Sequence, residues 1–220
     1  MEEFGFKNMA RMELFLWDLE LFLHIQKILG DKIILKGGAA TQFYLPRDAQ
    51  RTSVDIDMLF FGTEEEIKET LRKIEEYLGT EDELFYFHKH SPKNPKTNLP
   101  LHTYYTKVPS VLSNAERNMD RESIPYQELK IEFILQPEKW EYERRTGENI
   151  FAVNSSWNYQ ILPLNYLFAD KLTTLGCNTI GVQNERLDEQ VKQFYDIMML
   201  SRNCISEMQC SVVKEKYLKR

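Results

Sequence analysis

One stretch constrains this 220-residue chain more than any other: Arg51-Thr52-Ser53-Val54-Asp55-Ile56-Asp57-Met58. Every second residue from Arg51 is polar, and Val54, Ile56 and Met58 between them are apolar. Period-two alternation is the pattern of a half-buried strand, with one face packed inward and the other presenting chemistry. Asp55 and Asp57 would then lie side by side, about 6–7 Å apart at Cα. Two carboxylates so placed repel each other unless a cation lies between them. A hard, oxygen-seeking ion such as Mg²⁺ suits the pair, because it takes one or two carboxylates and leaves positions for phosphate oxygens and water. A solvated edge or turn is the commoner fate of an isolated Asp-x-Asp.

Upstream, Lys32 to Leu35 reads as a short buried strand running through Lys36 into Gly37-Gly38, then a helix-like segment from Ala39 to Tyr44. Paired glycines after a strand let backbone approach a ligand closely and offer N–H groups to phosphate. Strand, Gly-Gly, helix and Asp-x-Asp together resemble the signature of the nucleotidyltransferase superfamily. More narrowly, Leu-Lys-Gly-Gly-Ala-Ala followed by Arg-x-Ser-x-Asp-Ile-Asp resembles its AbiEii/AbiGii-type toxin branch, from type IV toxin–antitoxin and abortive-infection systems.

Residues 10–29 form a long helix apolar on more than one face, stopped by Gly30. Thr63 and Glu66 make a capping box, opening a helix with the stripe Ile67, Leu71, Ile74, Leu78 and ending at Gly79. Strands are expected at 84–88, 101–108 and 129–135, with a Pro- and Asn-rich loop at 91–100. Residues 110–126 read as irregular with a helix fragment near Ala115, and 140–149 as charged and turn-like. Helices follow at 162–175, with Pro163 in the first turn and Gly176 as the stop, and at 186–200, separated by a loop over 177–184. The packed side of the second of these is expected to be Leu187, Val191, Phe194, Tyr195 and Met198. The last twenty residues read as a basic tail helix in solvent.

Two charged residues stand out against apolar patterns. Glu132 lies within Leu-Lys-Ile-Glu-Phe-Ile-Leu, on the face opposite Ile131, Phe133 and Leu135, and an unpaired buried carboxylate is costly. It pairs either with a base, Lys130 being adjacent on its own face, or with a metal. Lys171 interrupts the stripe Leu164, Leu167, Phe168, Leu172, Leu175. It either snorkels its ammonium outwards or points into a cleft as a phosphate ligand. The resemblance implies the functional alternative for both: Glu132 as the acid on a later strand, and Ala-Asp-Lys as the later lysine motif. It also matches Asp196, in Phe-Tyr-Asp-Ile-Met, to the family's final aspartate, although Lys192-Gln193 replaces the basic–acidic pair expected just before it. Arg51 reaches phosphate or pairs with Asp48.

Composition excludes several classes. Hydrophobic content of 42% with 12% aromatic residues is that of a folded chain, and 220 residues can bury a full core. No apolar run reaches the length of a membrane span, and Glu2 and Glu3 stand where a signal peptide would be positive. Three cysteines without a CxxC spacing suggest neither zinc nor a disulfide framework, consistent with a reducing cytoplasm. A net charge of −6 disfavours a general nucleic-acid coat, and the basic island of His88, Lys89, His90, Lys93 and Lys96 reads as a solvated loop. No P-loop lysine motif, GxSxG or HExxH occurs.

The expectation is therefore an α+β nucleotidyltransferase fold, a mixed β-sheet flanked by helices, with a core at 1–155 and a helical portion at 156–220 closing over the nucleotide. The resemblance implies Mg²⁺ on Asp55, Asp57 and Glu132, phosphate contacts from Gly37, Gly38, Arg51, Ser53 and Lys171, and Asp196 orienting Lys171 or the nucleotide. It also implies NTP as substrate, a tRNA 3′ end as acceptor and a separately encoded antitoxin. A small-molecule or protein acceptor, and a nucleotide-binding protein without catalysis, are the alternatives.

Overall fold

The computed structural model describes residues 8–91, 100–112, 125–151, 153–176 and 186–218. The chain divides into two compact units, residues 1–35 with 52–140, and residues 36–51 with 141–220. The second unit thus takes in residues 36–51 and 141–155, which the sequence pattern assigned to the core.

In the first unit, the alternation of Asp55-Ile56-Asp57-Met58 produces strand β2 (Asp55–Phe60), with Ile56 and Met58 fully buried and both aspartates half-exposed. It begins at Asp55, four residues later than the pattern suggested. The backbone N–H of Arg51 is taken by the side chain of Gln42 instead of a neighbouring strand, so Arg51 and Ser53 stand outside the ladder. β5 (Tyr126–Leu135) runs parallel to β2, pairing Asp55 with Lys130 and Asp57 with Glu132. β4 (Leu101–Pro109) lies antiparallel on the other side of β5. With β1 (Ile33–Lys36) and the two-residue β3 (His88–Lys89), the order is β3-β4-β5-β2-β1, a mixed sheet. Helix α1 (Met9–Leu29) packs on β2 and β5 and against α3 (Glu64–Leu78). Gly30 caps α1 with φ +61°, and the Thr63–Glu66 box opens α3. The strand expected at 84–88 is reduced to β3, because Asp82, Glu83 and Phe85 adopt left-handed backbone that breaks the extended run.

The second unit contains α2 (Gly37–Gln42), the antiparallel pair β6 (Glu143–Gly147) and β7 (Ser155–Ile161), α4 (Leu164–Thr173), α5 (Leu187–Cys204) and α6 (Cys210–Leu218). Its core joins Leu45, Ala49, Leu164, Leu200 and Cys204. The charged stretch 140–149, read as turn-like, holds β6. There Arg145 stacks on the Tyr44 ring at 4.1 Å, and the Tyr44 hydroxyl donates to Glu143 at 3.1 Å. Charge on a strand here reflects an aromatic partner, not a loop.

Helix α5 corrects the expected packed side. Leu187, Val191, Phe194 and Met198 are exposed, Tyr195 is partly buried, and Asp196, Leu200 and Cys204 face inward. The electrostatic partners of Asp196, described below, set the rotation of the helix. The tail helix α6 also differs from expectation, packing on α4 with Val213 buried. The loops expected at 91–100 and 177–184 and the helix fragment near Ala115 lie largely or wholly outside the described residues. No helix among the described residues is long and apolar enough to cross a membrane.

Candidate active site

The pairing of β2 with β5 fixes a two-by-two array on one sheet face: Asp55 beside Lys130, and Asp57 beside Glu132. β4 extends it by one strand, because Thr103 pairs with Glu132 and Tyr105 with Lys130. The side chains close on one another. Lys130 Nζ lies 2.8 Å from Glu132 Oε1, the Thr103 hydroxyl donates to the same oxygen at 3.3 Å, and Asp57 is hydrogen-bonded to Glu132. Burial pushes the Glu132 carboxyl up, but the Lys130 charge and the hydrogen bonds from Lys130, Asp57 and Thr103 outweigh it and hold it below its ordinary value. Burial likewise pushes the Lys130 ammonium down, while Glu132, Asp55 and Asp57 raise it overall. Glu132 thus has the basic partner that was one of its two alternatives, Lys130, and it also adjoins Asp57.

Among the described residues no group of three or more His, Cys, Asp or Glu side chains forms a ready-made metal cage. Mg²⁺ does not require one, since it is commonly held by one or two carboxylates with substrate phosphates and water completing the shell. Asp55 and Asp57 on one strand face, with Glu132 hydrogen-bonded to Asp57, fit a shared carboxylate–phosphate site of that kind.

Asp18 was missed in the sequence. It lies on the core face of α1, 1% exposed, and neither carboxylate oxygen has a hydrogen-bond partner. Burial, then the charges of Asp55 and Asp57, push its carboxyl well above the ordinary value. The signal was available: Asp18 sits three residues after Phe15 and four before Phe22, inside an apolar stripe.

The second unit gathers the cations. Gly37 opens α2 with φ +69°, a conformation glycine adopts without strain, and Gly38 is buried beside it. Gln42 donates to the Gly38 carbonyl at 2.8 Å and accepts from the Arg51 N–H at 2.8 Å. Arg51 in turn grips Asp196 with two prongs, Nε to Oδ1 at 2.7 Å and Nη2 to Oδ2 at 2.6 Å, a partner the sequence had not assigned to it. Lys171 Nζ lies 2.7 Å from Asp196 Oδ2 and 2.9 Å from Gln193 Oε1. At 3% exposure it does not snorkel. Gln193, where the motif departs from the family, supplies an acceptor for the Lys171 ammonium, while Lys192 turns to Glu189 at 2.8 Å. Burial pushes Asp196 up, but Lys171 and Arg51 together hold it below the ordinary aspartate value. A second ion pair joins Lys36 to Asp170 at 3.1 Å, immediately before Gly37 and Lys171 respectively. Neither member had been singled out. Ser53 belongs to the first unit and directs its hydroxyl to the Asp55 carbonyl at 3.5 Å.

In the first unit carboxylates stand on neighbouring parallel strands, and in the second a partly exposed Arg and a buried Lys share one buried aspartate. The chain belongs to the AbiEii family: the profile described as "Nucleotidyl transferase AbiEii toxin, Type IV TA system" matches residues 21–220. It is accordingly a nucleotidyltransferase. The fold is similar to that of JHP933 from Helicobacter pylori, with TM-score 0.52 and 12% identity over 93% of this chain and 72% of that one. A looser likeness, TM-score 0.47 and 10% identity, relates 97% of this chain to 36% of the Megavirus polyadenylate synthase. No curated protein matches the sequence.

Proposed function

We propose that the protein is a Mg²⁺-dependent toxin that transfers a nucleotide from an NTP to an acceptor hydroxyl, the acceptor being the 3′ end of a tRNA. The observation that carries this reading is the register placing Asp57 beside Glu132 and Asp55 beside Lys130 on two parallel strands. Asp55 and Asp57 hold the metal, which when bound would neutralise charge on the triphosphate and favour departure of pyrophosphate. Glu132 completes that site or accepts the proton of the acceptor hydroxyl as its oxygen bonds to the α-phosphorus. Arg51 and Lys171 contact phosphate oxygens. Shared with Asp196, they offer one net positive charge for the leaving pyrophosphate. Asp196 holds both cations in place, Gly37 and Gly38 let the backbone come close to phosphate, and Ser53 adds a hydroxyl.

Membership in a type IV toxin–antitoxin family supports a cognate antitoxin and action in the cytoplasm. The test is labelling of total tRNA by each [α-³²P]NTP in Mg²⁺, with wild type and the D57N variant. Label at the tRNA 3′ end that depends on Asp57 supports the reading. Label confined to a protein or small molecule would move the acceptor elsewhere while keeping the chemistry.

A further inference from the structure

The sheet face that carries the carboxylates continues outward from them, strand by strand. Tyr105 on β4 stands opposite Lys130, and His88 on β3 stands opposite Tyr105. Beside them, Thr103 stands opposite Glu132, and the His90 N–H donates to the Thr103 carbonyl at 2.8 Å. Residues opposite one another on paired strands share a face. Two rows therefore run from β2 to the sheet edge: Asp55, Lys130, Tyr105, His88 and Asp57, Glu132, Thr103, His90. At the edge the rings hold one another. His90 meets Tyr105 edge to face with centroids 5.6 Å apart and planes at 76°, and Tyr86 meets His88 at 4.6 Å and 82°. An edge-to-face pair uses one face of one ring, which leaves the other faces for a third partner. Tyr86, His88 and His90 are exposed, and Tyr105 is half-buried.

Lys89, between the two histidines, turns to the opposite face and pairs with Glu64 at 2.5 Å. The basic island thus presents rings on this face instead of an ammonium, and Glu83 lies close enough for its charge to interact with His88. Rings beside an acid favour stacking of bases over neutralisation of phosphates, and every base has a π-face. At a strand spacing of about 4.8 Å, His90 stands about 10 Å from Glu132. We propose that Tyr86, His88, His90 and Tyr105 form a stacking platform for the unpaired bases that precede the 3′ hydroxyl of an RNA acceptor. This rests on the reading of an RNA 3′ end as acceptor. Continuity with Glu132 through the register commits the face to that strand: a hydroxyl brought to Glu132 sets its preceding bases on the same sheet surface.

The experiment is binding of a fluorescein-labelled minihelix RNA carrying the unpaired 3′ end of a tRNA, read by anisotropy on the full chain, with NTP binding by calorimetry and melting curves alongside. His90→Ala and Tyr86→Ala, at exposed positions, should each weaken RNA binding about tenfold, and Tyr105→Leu should do the same. NTP affinity should stay that of wild type. The dependence of RNA affinity on salt should also be unchanged, since no phosphate contact is removed. On a minihelix made abasic at the unpaired positions before the last, wild type should itself bind more weakly and the variants no worse than wild type. Lys89→Ala, on the opposite face, should bind RNA as wild type does. Wild-type RNA affinity in folded His90→Ala and Tyr105→Leu, or an equal loss on intact and abasic RNA, would overturn the platform while leaving the acceptor reading intact. Wild type that fails to bind the minihelix would sink the RNA-acceptor reading itself and the proposal with it.

Discussion

Asp196 and Lys171 should differ sharply when removed, although they touch each other. Asp196→Asn leaves Arg51 and Lys171 facing a neutral amide, with Lys171 only 3% exposed. Breaking a buried pair from one side costs about 3–5 kcal/mol because the remaining charge is uncompensated, and here two charges remain. Lys171→Met is different. Asp196 keeps both prongs of Arg51, at 2.6 and 2.7 Å, and methionine fills most of the lysine stem's volume. Two contacts are lost, the charge-assisted one to Asp196, worth about 1.5–3 kcal/mol, and that to the partly exposed Gln193, which water can replace, and the saved cost of burying an ammonium offsets part of the loss. The expected destabilisation is therefore about 0–2 kcal/mol, at least 1 kcal/mol less than for Asp196→Asn. Urea unfolding at pH 7 on both variants measures the gap. Because the Asp196 pKa is depressed on folding, its contribution is complete above the ordinary aspartate value of about 4 and is lost only as pH falls through the lower folded value. The gap should therefore persist at pH 5 and close in stronger acid. Equal destabilisation of the two variants, or a larger one for Lys171→Met, would refute Asp196 as the hub of the cluster. In the same preparations, Lys171→Met should weaken NTP binding several-fold by calorimetry; unchanged affinity would remove Lys171 from the phosphate site.

Three further outcomes follow from the first unit. Asp57→Asn should abolish Mg²⁺-dependent transfer while its melting temperature holds or rises, since repulsion with Asp55 is relieved and the amide can still donate to Glu132; an unfolded variant would make the pair structural. Glu132→Gln should keep NTP binding near normal and slow single-turnover transfer by about 10²-fold or more if Glu132 is the base. Normal turnover in that folded variant would exclude Glu132 from the chemistry. Asp18 carries a raised pKa, so the folded state holds its proton more tightly, and wild-type stability should decline as pH rises from the ordinary carboxylate value towards the raised one. Asp18→Asn should flatten that decline in melting curves taken between pH 4 and pH 8, and an undiminished decline would assign it to another group.

How much of this was legible in the sequence depends on what each residue type reveals locally. Asp55 and Asp57 announced themselves because period-two alternation needs no tertiary knowledge, and the Thr63–Glu66 box is a local hydrogen-bond pattern. Glu132 and Lys171 were visible as charges where apolar residues belong. Asp18 is a charge of the same kind, obscured because α1 is apolar on several faces and shows no single stripe for it to interrupt. Register was not legible: Lys130 gains its meaning only from the pairing of β5 with β2. Nor was the rotation of α5. Its apolar stripe of Leu187, Val191, Phe194 and Met198 is the strongest local pattern there, yet Asp196 turns inward because two cations, buried Lys171 and partly exposed Arg51, hold it. The strand in 140–149 was masked by its charges, whose partner Tyr44 lies about a hundred residues away.

The most direct test of nucleotidyl transfer by this constellation is a single-turnover reaction run in parallel with [α-³²P]NTP and [γ-³²P]NTP, Mg²⁺ and total tRNA. The account predicts α-label on the tRNA 3′ end and γ-label released as pyrophosphate in equal amount, with neither product from Asp57→Asn. The γ-label appearing on the acceptor or as inorganic phosphate would contradict it.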